Sequence, residues 1–246
     1  MGKKKNSQRK KPGLISKLTI HNLNWLEWSA IFFSIWFIFY PKPYEFLLII
    51  LLLFPIVGIL LNGIHQPSII TLVKISKDEN GNDEYDVADF IDIISWAILI
   101  RVIIDYDFES FLSLIIPGAV AFVLVVIILF STHQLIASST KNKWWIYCSL
   151  LFNIFVYSYA GTYAINCTFD NSKPQVYKTT ILSKRISEGR RSTSYLVEIT
   201  PWGNRSEKEE ISISKTQFGK LYVGDHINVD IKKGLFNIPW YYVEDN

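Results

Sequence analysis

From Trp144 to Ile165 the chain runs for 22 residues without an Asp, Glu, Lys or Arg. Coiled as a helix, that stretch rises about 33 Å, enough to cross a hydrocarbon core of roughly 30 Å. Lys141-Asn142-Lys143 precedes it, and Asn166-Cys167-Thr168 and Asp170-Asn171-Ser172 follow, so polarity changes sharply at both ends. A soluble protein would distribute its apolar residues at a period of 2 or 3.6. Here they stand in charge-poor blocks, the pattern of membrane spans.

Four such blocks precede this one, giving expected spans over about 25–40, 46–62, 90–106 and 111–130, then 144–165. Trp25 and Trp28 mark one end of the first block, and Tyr40 and Tyr44 the other, as expected of rings that prefer the headgroup level. Pro41-Lys42-Pro43 breaks the helix and leaves almost no loop, so the second block returns antiparallel. Pro55 and Gly58 inside it predict a kink or a close helix contact. Asp78 to Glu84 is rich in Asp, Asn and Gly, yet lacks the ligand spacing of an EF-hand and reads as a solvated turn. The expected domains are a basic cytoplasmic tail over 1–22, a transmembrane helical domain over 23–166 and a soluble β domain over 174–246.

Charge orients this scheme. Seven Lys and Arg precede the first acid, Glu27, and such a cluster ahead of an apolar block marks the cytoplasmic flank. With five spans, Lys74, Lys77, Lys141 and Lys143 join them inside. The loop around Asp105, Asp107 and Glu109 then faces outward with the C-terminal domain. The expected location is a multi-pass protein of the cell membrane with an extracytoplasmic carboxyl end.

From Gln175 the period becomes 2. Tyr177, Thr179 and Ile181 form one face, and Tyr195, Val197 and Ile199 a second. Ile211 and Ile213 form a third, and Ile227, Val229 and Ile231 a fourth. Phe218 and Leu221 fit a helical turn between the third and fourth strands. Pro239 demotes the last run, Leu235 to Val243, to an edge or splits it. Five short strands in this length predict a small antiparallel barrel, OB-like or SH3-like.

QVYKTTILSKRISEGRR, the PWG turn, LYVGD and KKGLFNIPWYY resemble the C-terminal portion of a loosely defined group of bacterial multi-pass membrane proteins of unknown function. The resemblance covers the last span and the β domain. It implies structure but lends no catalytic residue.

His21, His65, His133 and His226 are isolated from one another, and no P-loop, GxGxxG or GxSxG occurs. No enzyme chemistry, cofactor or metal is expected, and nucleic acid is not an expected partner. Cys148 and Cys167, roughly 28 Å apart along one helix, cannot pair with each other. Arg101 and Asp105 share a helix face and, with Asn153, make a candidate intramembrane polar site. Lys184, Arg185, Arg190 and Arg191 make a candidate basic binding hairpin. The expected function is an anchor that presents the β barrel to a membrane or envelope protein, with the lipid bilayer as the other partner. The alternative is a transporter or channel component built on Arg101 and Asp105.

Overall fold

The computed structural model describes residues 14–77, 83–137, 142–189, 193–203 and 205–243. The helices α1 (Leu14–Phe39), α2 (Tyr44–His65) and α3 (Asp89–Asp105) come first. A hairpin of β1 (Val73–Lys77) and β2 (Asp83–Val87) separates α2 from α3. The two-residue strand β3 (Asp107–Phe108) then leads to α4 (Leu112–Thr132) and α5 (Lys143–Thr168). The C-terminal third holds β4 (Gln175–Glu188), β5 (Thr193–Ile199), β6 (Glu209–Ile213), α6 (Lys215–Lys220), β7 (His226–Lys232) and β8 (Trp240–Val243).

Among the described residues, three helices are long and apolar enough to cross a membrane: α2, α4 and α5. Five had been expected, and length accounts for the difference. The apolar part of α1 is only Trp25–Phe39. α3 has 17 residues, about 25 Å of rise, and carries Asp89, Asp92, Arg101 and Asp105. The segment 78–82, which holds most of the stretch rich in Asp, Asn and Gly, lies outside the described residues, as do most of the basic tail and Lys141.

The chain forms two compact units. One comprises Met1–Arg101 with Ala119–Gly161, the other Val102–Gly118 with Thr162–Asn246. In the first, small residues let helices approach closely. A Cβ on Gly58 would fall 2.3 Å from the Phe90 ring and 3.1 Å from Leu26, so α2 touches both α1 and α3 there. A Cβ on Gly161 of α5 would fall 2.8 Å from Leu52 of α2, and the Tyr157 hydroxyl donates to the Leu52 carbonyl beside it. Gly63 lies equally tight against Thr132 at the end of α4. Just beyond, Asn62 Oδ1 accepts from Thr71 Oγ1 (2.8 Å) and lies 3.0 Å from Nε2 of the buried His133.

The second unit is built on an antiparallel sheet in the order β3-β8-β7-β4-β5-β6, curled into a half barrel. Its inner face is the one that the period-2 pattern marks. Ile181, Val197, Ile199, Ile211, Ile213, Ile227 and Val229 are buried with Trp202 and Tyr241. The helical turn expected at Phe218 is α6, capped by reciprocal bonds between Ser214 and Gln217. Pro239 stands just before β8, which therefore keeps its full ladder. β8 is also not an edge, because β3 pairs with it (Asp107 opposite Tyr241, Phe108 opposite Trp240). The acidic loop read from the sequence is thus partly a sixth strand of the sheet.

Because Ile199 is fully buried and Ile186 half-exposed, Ile199→Ala is expected to destabilise this unit by about 3 kcal/mol. Ile186→Ala is expected to cost under about 1 kcal/mol. Thermal unfolding in detergent, followed by tryptophan fluorescence, compares them; equal losses would contradict the assigned core.

Candidate functional site

α5 leaves its apolar run at Asn166, and the polar residues that follow are the ones that grip the sheet. The loop joining β7 to β8 folds back onto them. Asn166 Nδ2 donates to the Ile238 carbonyl (2.8 Å), and its Oδ1 accepts from Phe236 N (2.9 Å). Its backbone carbonyl accepts from Leu235 N (3.1 Å). One asparagine therefore satisfies three backbone groups of a loop that would otherwise be left with unpaired bonds.

Asp170 completes the clasp. Its Oδ2 accepts from Gly234 N (2.9 Å) and Trp240 Nε1 (3.0 Å), and its Oδ1 from Ser172 N (2.8 Å). Lys232 Nζ donates to the Asp170 carbonyl (2.7 Å) and lies over the Trp240 ring. Burial would by itself push the Asp170 carboxyl up. The hydrogen bonds from Ser172, Trp240 and Gly234 outweigh it and hold the group below the usual carboxylate range. Gly234 is required here: its φ is +76°, and a Cβ would fall 2.3 Å from the Ile238 carbonyl and 2.4 Å from Asn166.

A second fastening holds the segment after β3. Arg205 pairs with both Glu109 and Glu209, its guanidinium 4.2 Å from the centre of the Trp202 ring and 5.1 Å from that of Tyr241. Trp202 Nε1 also donates to Glu209 (3.0 Å). Phe108 stacks on Tyr163 at 3.8 Å between centroids, and the hydroxyls of Tyr106 and Thr168 are 3.0 Å apart. The last two turns of α5 are thereby bound from two directions, by residues 106–108 and by the β7–β8 loop. Burial pushes the Asp107 carboxyl up.

The residues singled out from the sequence stand in the following surroundings. Arg101 is half-buried and donates from Nη1 to the Ile38 carbonyl (3.4 Å), in the last turn of α1. Asn153 is buried; its Nδ2 donates to the Ser149 carbonyl (3.2 Å), and its own carbonyl accepts from Ser95 (3.2 Å). Asp105 ends α3 and is half-buried. Lys184 is turned inward, donating to the Phe218 and Leu221 carbonyls with its ammonium 4.2 Å from the centre of the Phe218 ring. It closes the C-terminal end of α6, where the exposed carbonyls favour a cation. Arg185 makes a two-pronged pair with Glu210 (2.8 and 3.0 Å). Arg190 and Arg191 lie outside the described residues.

Sequence reading missed both fastenings. Asn166 belongs to a glycosylation-like triplet, and Asp170 reads as part of the polar flank. The one local signal is Lys233-Gly234, a dipeptide that marks a turn without naming its partner. No protein-family model, curated protein or solved structure matches the chain.

Asp170→Ala leaves the Gly234 and Trp240 donors without an acceptor and is expected to cost about 3 kcal/mol at neutral pH. The folded-state pKa lies below the unfolded one, so this contribution is present above the unfolded pKa and lost as pH falls through the depressed folded value. The gap between wild type and variant in thermal unfolding should therefore narrow below about pH 4. A gap independent of pH would show that the carboxylate charge is not what holds the loop.

Proposed function

We propose that this protein is a non-enzymatic membrane anchor that presents its C-terminal β domain, outside the cytoplasm, to a membrane or envelope protein. The observation that carries this reading is the clasp at Asn166 and Asp170. It fastens the sheet to the end of a helix long and apolar enough to span, so the domain is held in place instead of hanging on a tether. The resemblance to bacterial multi-pass proteins agrees with it. So does the excess of Lys and Arg in the amino-terminal tail, which favours that end inside.

The same proposal includes five crossings, with α1 and α3 as short spans beside α2, α4 and α5, and a small barrel of OB-like or SH3-like type. The sheet supplies binding surface of two kinds. Tyr222 and Val223 are exposed at the end of the β4–β7 ladder remote from α5, and the β6 edge is bordered by charge.

A second reading, a solute path through the helices, has one observation in its favour. Among the described residues, Ser34 Oγ, Asn153 Oδ1 and Ser158 Oγ are buried without hydrogen-bond partners, and buried polar atoms of this kind call for water or a polar solute.

A photo-crosslinking residue at Val223 in intact membranes, with a reporter fused after Asn246, tests the proposal. Expected are a discrete crosslinked protein and an extracytoplasmic reporter. A cytosolic reporter overturns the orientation. Absence of any crosslink, with ion flux through proteoliposomes that Asn153→Leu abolishes, favours the second reading.

A further inference from the structure

The loop held by the clasp exposes two large apolar side chains, Leu235 (50 % exposed) and Phe236 (44 % exposed). Both are bonded through their backbone nitrogens to Asn166, the first polar residue after the apolar run of α5. Their height is therefore fixed by the helix. If α5 spans, the place where its apolar run ends is where the hydrocarbon gives way to headgroups. Lys173 and Lys233 are exposed beside the same junction, the Lys233 N–H donating to Ser172 Oγ, and Trp240 is bonded to Asp170.

We infer that the β7–β8 loop is a lipid-docking surface: Leu235 and Phe236 insert at the acyl–headgroup boundary, and Lys173 and Lys233 meet the phosphates around them. Two large exposed apolar side chains with exposed lysines close by in the chain form the pattern of an interfacial anchor. The occupant follows from continuity, because the loop is hydrogen-bonded to the end of the lipid-crossing segment itself. A protein partner at this place would have to displace lipid from both residues.

The inference rests on the spanning reading of the helices, and the experiment separates the two. Full-length protein carrying Cys148→Ser is reconstituted into phosphatidylcholine vesicles containing phosphatidylglycerol. The buried Cys167 is retained. A single bimane label is placed at Phe236→Cys, Leu235→Cys, Val223→Cys or Leu124→Cys, the last exposed near the middle of α4. Lipids bearing a nitroxide near the headgroup or near the chain end then quench the label by depth. Expected is loss of most of the emission at 235 and 236 with the shallow quencher. The deep quencher should act most strongly at 124, and neither should act at 223. Quenching at 124 without quenching at 235 or 236 overturns the docking surface while leaving the spans intact. No quenching at 124 overturns the spanning reading, and the inference with it. Two labelled positions in the loop guard against a local failure of either variant to fold.

Discussion

A carboxylate buried without a cationic side chain against its oxygens is stable only where N–H groups replace the water it has lost. Asp170 meets that condition with donors from three different parts of the chain: Ser172 beside it, Gly234 in the β7–β8 loop and Trp240 at the start of β8. The rest of the second unit depends on this convergence. With Asn166 it settles the polar groups of a loop that has no ladder of its own, and it brings Trp240 into register for pairing with both Lys232 and Phe108. The requirement also runs backward to sequence. The Asp and Asn are useful only with Gly at 234, because any side chain there would collide with the Ile238 carbonyl and with Asn166 itself.

That geometry explains how the sheet manages its two borders. Unpaired strand edges invite association with other chains. On one side β8 is protected by β3, and the Arg205–Glu109 ion pair and the bond from Glu109 N to the Pro239 carbonyl hold the segment that carries β3. On the other side β6 carries Glu209 and Glu210, one gripped by Arg205 and Trp202 and the other by Arg185. Exposed pairs such as Arg185–Glu210 contribute little stability. Their charge at an edge strand still disfavours sheet-to-sheet pairing.

What could be read from the sequence was what repeats. The alternation through Ile181, Val197, Ile211 and Val229 is a property of neighbouring residues, so the core face and the strand order along the chain were accessible. The apolar blocks gave the positions of α2, α4 and α5 for the same reason. Pairings across long separations left no periodic trace. Nothing local to Asp107-Phe108 marks it as a strand, since its ladder partner lies more than a hundred residues later. Lys184 illustrates the opposite error: it reads as part of a basic surface, but the bulge between Ile181 and Ser183 shifts the alternation and turns it toward Phe218. Asn166 was legible as polar and illegible as a clasp, because its partners at 235, 236 and 238 are set by tertiary structure alone.

A module that needed only to stay near a membrane could be joined by a flexible polar linker, which leaves its orientation free. Between Thr168 and Gln175 this chain has few residues, and Asp170 and Ser172 are themselves occupied in bonding Lys232, Lys233 and Gly234. The connection cannot swing without breaking a buried carboxylate's hydrogen bonds, a cost of several kcal/mol. The junction therefore ties the β7–β8 loop to the last turn of α5 and the residues just after it.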